Sequence, residues 1–200
     1  AKLLHENELH FLGEFSEGRF KTVSARIYRV YGRNSRDIIS RWIQALLKGH
    51  TIQVYRKEGL FDYIYAGDVA EGLCRLAISE AEGVVNLGTG RARRVEEVLE
   101  VLQRHFPEMQ SVHAESEIPY EASQADMRLF KQWTGWIPER NIEDTIPELI
   151  EHYKNRTSVE EFDVNPAKAA ILISSVSKKI SLINSVKRAV EKLGSRTEVI

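Results

Sequence analysis

The sequence has a single cysteine, Cys74, which excludes an internal disulfide framework. So little cysteine is typical of a protein in a reducing compartment, and we therefore expect a cytoplasmic protein. No Cys/His cluster has the spacing of metal ligands, so the sequence predicts no metal site. The sequence also contains no apolar run long enough to span a bilayer and no signal peptide, so we expect no membrane partner.

The chain has no excess of charge of either sign. Lys and Arg together number 28, Asp and Glu number 29, and the net charge is −1. Such a balance gives no electrostatic basis for binding nucleic acid or an anionic lipid surface. With 200 residues, of which 42% are hydrophobic, the chain is long enough for one domain and part of another.

Apolar strand patterns alternate with amphipathic helical patterns over the first three quarters of the chain, which predicts the α/β class. The stretches with strand character are "KTVSARIYRVYG", "TIQVY", "LFDYIYA" and "GVVNLGTG". Asp68 follows the third of these and is predicted to be the N-cap of the next helix.

The last quarter of the chain predicts a second unit. Residues 157–168 are polar and charged and contain Pro166, which is typical of a linker. Residues 169–200 have the pattern of a strand, a helix and a strand, the first βαβ unit of a second α/β domain. The chain begins without Met and ends on a strand pattern, and we expect it to be a piece of a longer protein.

Five stretches in a fixed order resemble landmarks of the extended short-chain dehydrogenase/reductase superfamily, and within it the NAD-dependent epimerase/dehydratase family that acts on nucleotide sugars. They are "KLLHE", "ARIYRVYG", "FDYIYAGDVAEGL", "GVVNLGTG" and "TGWIPERNIEDTI". The resemblance covers residues 1–156 and implies the C-terminal part of a Rossmann-like parallel sheet with a small substrate-binding lobe. It implies NAD as cofactor and a nucleotide sugar as substrate, and we add a homodimer as an expectation.

The start of the chain resembles the end of the family's catalytic motif. Lys2, with Glu6 four residues on, matches the Lys of Y-x-x-x-K-x-x-x-E, and the tyrosine would precede Ala1. The resemblance implies that Lys2 holds the cofactor ribose and lowers the pKa of that tyrosine. Lowering a phenol pKa from about 10 to about 7 needs about 4 kcal/mol, which a nearby ammonium can supply. The family's Gly-rich dinucleotide loop would also lie upstream.

Two positions depart from the family pattern at the expected substrate site. The family reads "RDFIYVDDVA", in which the Arg contacts the nucleotide diphosphate, whereas this chain has Phe61 there, followed by Tyr63 as a substrate-contacting candidate. A Phe cannot reproduce the bidentate contact of a guanidinium with phosphate. We therefore expect Arg56 and Lys57, in the adjoining loop, to reach the phosphates.

The second departure lies in "ARIYRVYG", where the family usually reads "R-x-F-N-V-Y-G-P". Tyr28 replaces the Phe beside the cofactor, and Arg29 replaces the Asn that faces the substrate, with Val30 next to it. An Asn offers a donor and an acceptor, whereas an Arg offers donors alone. Arg29 therefore favours an acidic sugar or a phosphate.

The tail is the basis of a further resemblance. From Ala170 the sequence "AILISSVSKK" resembles the start of the domain that precedes the ATP-binding core in ATP-grasp ligases. Three functions follow from these patterns. The first is an NAD-dependent nucleotide-sugar epimerase or dehydratase, the second is a non-catalytic nucleotide-sugar-binding or scaffold module, and the third is an ATP-dependent ligase with its chemistry downstream.

Overall fold

The computed structural model of the chain describes residues 2–19, 21–115 and 120–157. The predicted linker, apart from its first residue, and the predicted second domain with its ATP-grasp resemblance lie outside these residues and remain predictions. The helices are α1 (Lys2–Phe15), α2 (Ile38–Leu47), α3 (Ala66–Ala77), α4 (Val95–His105), α5 (Arg128–Thr134) and α6 (Ile142–Thr157). The strands are β1 (Val23–Ile27), β2 (Arg29–Tyr31), β3 (Ile52–Val54), β4 (Leu60–Phe61), β5 (Tyr63–Tyr65), β6 (Gly83–Leu87), β7 (Arg93–Arg94), β8 (Ser111–His113) and β9 (Ala122–Ser123).

Most strand pairs are parallel, and the predicted α/β class is confirmed. Strand β1 pairs with β6, β2 with β5, and β3 with β8, all in parallel. Strand β4 lies between β7, which is antiparallel to it, and β9, which is parallel. Parallel pairs need crossover connections, and the helices provide them.

The sequence "KTVSARIYRVYG" was predicted to form one buried strand, but it forms two short ones. The chain changes partner at this point, because the Tyr28 N–H donates to the Leu87 carbonyl at 3.0 Å and the Arg29 N–H donates to the Asp62 carbonyl at 3.0 Å. Strand β1 is therefore bound to β6, and β2 is bound to β5. The predicted strand "LFDYIYA" is divided in the same way at Asp62.

The apolar side chains form two cores, one on each side of β5. Tyr63 belongs to the core built on α2, α4 and α6, and its neighbour Ile64 belongs to the core under α3 and α5. Successive side chains of a strand point to opposite faces, so this short strand contributes to both cores. The predicted site residues Phe61 and Tyr63 lie two residues apart and enter the same core.

Candidate active site

Lys2, the predicted catalytic and cofactor-binding lysine, is the first residue of α1 and is exposed. Helix α1 runs antiparallel to β1. The Thr22 hydroxyl donates to the Leu9 carbonyl at 2.9 Å, and the Arg26 guanidinium donates to both oxygens of Glu6 at 2.8 and 2.6 Å. This direction places Lys2 towards the carboxyl end of β1, the end at which parallel sheets bind ligands. Among the described residues its ammonium has no hydrogen bond or ion pair.

Tyr28, predicted to lie beside the cofactor, is half-buried at the junction of β1 and β2. Its side chain packs on the core under α3 and α5, as does that of Val30 in β2. Both residues directly follow the carboxyl end of β1. The structure therefore places the predicted cofactor residues Lys2 and Tyr28 towards the same end of β1.

Arg29, Phe61 and Tyr63 form the centre of the predicted substrate site, and we call them the Arg29 group. Strands β2 and β5 pair Arg29 with Tyr63 in register. The Arg29 guanidinium carbon lies 3.8 Å from the centroid of the Phe61 ring, and the Phe61 and Tyr63 rings meet edge to face at 5.9 Å. Position 61 carries no cation itself, and the fold brings the guanidinium of Arg29 to the Phe61 ring.

Burial determines how the members of the Arg29 group can act. Phe61 is 8% exposed and Tyr63 is 5% exposed, whereas 41% of the Arg29 side chain is exposed. Burial raises the pKa of the Tyr63 phenol to about 12, although the charge of Arg29 opposes the rise. Tyr63 therefore keeps its proton at neutral pH and is a hydrogen-bond donor rather than a base.

Arg56 and Lys57 lie in a loop that is held by the start of α4. The Lys57 carbonyl accepts from Glu96 N–H at 3.0 Å, and the Gly59 carbonyl accepts from Val95 N–H at 2.9 Å. Arg56 lies 3.4 Å from Glu58, and Lys57 is exposed. The loop meets the Arg29 group at Gly59, where an added Cβ would lie 2.9 Å from Phe61 Cε2.

Asp62 is a central residue that sequence reasoning missed. Its carboxylate is fully buried and accepts four hydrogen bonds, from the Thr89 N–H at 2.7 Å, the Thr89 hydroxyl at 2.6 Å, the Gly90 N–H at 2.8 Å and the Ala125 N–H at 3.0 Å. It therefore ties the Arg29 group to the loop that follows β6. The sequence feature that could have identified Asp62 was a carboxylate within the aromatic run "LFDYIY". A carboxylate buried in such a strand requires several hydrogen-bond donors.

Asp68 was predicted to cap α3, and this prediction is wrong. Helix α3 begins at Ala66, directly after Tyr65, because the strand pairing ends there and leaves no connecting residue. Asp68 lies in the first turn, 7% exposed, and its Oδ2 has no hydrogen-bond partner among the described residues. Burial raises the pKa of the Asp68 carboxyl, and the charge of Arg140 opposes the rise.

The described residues contain no group of His, Cys, Asp and Glu side chains that could hold a metal ion. Within the same residues, none of the helices has both the length and the apolar character needed to cross a bilayer.

Comparisons with known proteins give a matching family model and a similar curated protein. Residues 9–88 match the model of the NAD dependent epimerase/dehydratase family, a range that includes the Arg29 group and excludes Lys2. The chain is 28% identical over 144 residues to UDP-glucuronic acid decarboxylase 6 of Arabidopsis thaliana, covering 68% of this chain and 41% of that protein.

Solved structures share the fold. RMD from Pseudomonas aeruginosa, complexed with NADPH, aligns with a TM-score of 0.69 at 22% identity, over 78% of this chain and 55% of that chain. MoeE5, in complex with UDP-glucuronic acid and NAD, aligns with a TM-score of 0.62 at 26% identity, over 68% of this chain and 48% of that chain. The chain thus spans about half the length of the proteins it resembles. Residues 9–88 therefore match the NAD dependent epimerase/dehydratase family, and the described residues have the Rossmann-like α/β fold of these solved structures.

Proposed function

We propose that the protein to which this chain belongs is an NAD-dependent enzyme that acts on a nucleotide sugar by transient hydride transfer. The match of residues 9–88 to the family is the observation that carries the proposal. It is supported by the names of the relatives, which include a UDP-glucuronic acid decarboxylase and a protein crystallised with UDP-glucuronic acid and NAD. Epimerisation and loss of water both remain open as the outcome of the reaction.

The residues at the carboxyl end of β1 fit an NAD molecule. The Lys2 ammonium is exposed and has no partner among the described residues, so it is available to donate to the ribose hydroxyls. Tyr28 adds a half-buried ring at the same end of β1. When bound, NAD would accept and return the hydride. The positive charge of Lys2 would lower the pKa of the catalytic tyrosine that the proposed reaction requires.

The Arg29 group would bind the substrate. Arg29 supplies an exposed guanidinium for an anionic oxygen group, and Tyr63 supplies a phenol that stays protonated at neutral pH. Phe61 adds the ring on which the Arg29 guanidinium lies, whereas Val30, a substrate-site candidate from the sequence, packs on the core under α3 and α5. Arg56 and Lys57 would extend the cationic surface towards the phosphates from the loop that precedes Phe61.

Replacement of Lys2 tests the proposed function. In the full-length protein we expect Lys2→Met to lower kcat by about a hundredfold or more, because the catalytic tyrosine of the proposed reaction would lose the charge that lowers its pKa. Turnover is measured with UDP-glucose and UDP-glucuronic acid in the presence of NAD. Lys154→Met, an exposed lysine on α6, is the matched control and should leave kcat unchanged. Equal rates in the two variants would contradict the role of Lys2.

A non-catalytic nucleotide-sugar-binding module is the second candidate, and the departures at Phe61 and Arg29 favour it. The same assay separates the two functions, because a binding module would bind NAD and the nucleotide sugar without turnover. The ATP-dependent ligase alternative concerns residues beyond those that the structure describes. A cytoplasmic location and a homodimer are part of our proposal for the whole protein.

A further inference from the structure

The Arg29 guanidinium is held in place from several sides. Its carbon lies 3.8 Å over the Phe61 ring, within the range of a cation–π contact. The Phe61 ring cannot move away easily, because Tyr63 meets it edge to face and the Gly59 backbone lies against it. Arg29 thus presents a fixed cation to solvent at the site proposed to bind the substrate.

Glu121 lies beside this cation. Its carboxylate is 3.4 Å from the Arg29 guanidinium, a long contact for an ion pair, and 56% of its side chain is exposed. The backbone of Glu121 is held independently, since its carbonyl accepts from the Leu60 N–H at 3.1 Å. The Glu121 side chain can therefore leave Arg29 without breaking the connection to β4.

We propose that Glu121 is an internal competitor for the anionic group of the nucleotide sugar, occupying Arg29 until that group displaces it. This inference rests on the proposed function and names the chemistry that the Arg29 group recognises. An anionic oxygen group, the diphosphate or a sugar carboxylate, would form a bidentate contact with Arg29, whereas Glu121 makes a single contact at 3.4 Å. Phe61 serves as the platform that keeps the guanidinium in position for the exchange.

The test measures dissociation constants of UDP-glucose and UDP-glucuronic acid for the full-length protein by isothermal titration calorimetry. We expect Glu121→Gln to lower Kd by about twofold to fivefold, because an exposed ion pair no longer competes. Arg29→Gln should raise Kd by about tenfold or more through the loss of a charge-assisted contact. Phe61→Leu should raise it by about threefold, since Leu fills the core without offering a ring face.

The two ligands identify the group that displaces Glu121. A lower Kd for both ligands in Glu121→Gln indicates that the diphosphate displaces Glu121. A lower Kd for UDP-glucuronic acid alone indicates that the sugar carboxylate displaces it. Either result supports the proposal.

A matched control exists on α3. Arg75 lies between Glu71, at 2.7 Å, and the Trp136 ring, at 5.2 Å, so Glu71→Gln removes a comparable ion pair away from the proposed site. The proposal is overturned if Glu121→Gln binds both ligands with the wild-type Kd, or if Glu71→Gln lowers Kd as much as Glu121→Gln does. If the folded wild-type protein binds neither ligand, the proposed function fails as well.

Discussion

At the scale of single residues, the site depends on contacts between side chains distant in sequence. The guanidinium of Arg29 lies over the Phe61 ring, and the Asp62 carboxylate holds Thr89, Gly90 and Ala125. Phe61 stands where the family pattern has an Arg, and Asp62 is a carboxylate within an apolar strand pattern. The partners of these two side chains in the fold explain why they are there.

Replacement of Asp62 should show how strongly it stabilises the fold. Asp62→Ala removes the acceptor of four hydrogen bonds, three of them buried, and we expect the free energy of unfolding to fall by about 3–5 kcal/mol. Asp62→Asn keeps the shape of the side chain but turns an amide group towards N–H donors. The free energy of unfolding should therefore fall by less than in Asp62→Ala. Urea unfolding followed by circular dichroism measures both.

The control for Asp62 is Asp144→Asn, an exposed carboxylate in the first turn of α6. It should change the free energy of unfolding by less than about 0.5 kcal/mol. Equal losses in Asp144→Asn and Asp62→Ala would contradict the role we assign to the four hydrogen bonds.

At the scale of secondary structure elements, helix α3 carries a buried charge in its first turn. Burial of Asp68 raises the pKa of its carboxyl in the folded state, so folding favours its protonated form. The resulting stabilisation is complete below the unfolded pKa, about 3.9, and is lost as the pH rises through the folded pKa. Nearby charges modify the effect, since Arg140 opposes it and Glu71 adds to it.

We therefore expect Asp68→Asn to unfold at higher urea concentration than the wild type at pH 7, with the difference disappearing near pH 3. Urea midpoints over this pH range measure the effect. Glu100→Gln, which changes an exposed carboxylate on α4, should keep the wild-type pH dependence. A lower midpoint for Asp68→Asn at pH 7 would show instead that the ionised carboxylate is stabilising.

At the scale of the whole molecule, α1 has a face that the described residues leave uncovered. Leu4, Phe11 and Phe15 are 61%, 54% and 79% exposed, and they lie on the side of α1 opposite β1. Exposed apolar stripes of this kind are common at interfaces. We propose this stripe as the contact of the expected homodimer.

Size-exclusion chromatography with light scattering on the full-length protein tests this proposal. Phe11→Glu should convert a dimer to a monomer, because it places a charge in the apolar contact. Ile78→Glu, which changes an 87% exposed residue at the end of α3, should leave the dimer intact. A monomeric wild-type protein would exclude the homodimer.

By itself, the sequence determined the α/β class, the main helices and the strands around the site, because hydrophobic periodicity is a local property. It also indicated Arg29, Phe61 and Tyr63 as candidate site residues through their place in a family pattern. The tertiary structure alone decided that Arg29 meets Phe61, that Asp62 joins the loop after β6, and that α3 begins before Asp68. These features depend on which strands pair and in which register. Pairing and register are determined only when segments distant in the sequence pack together.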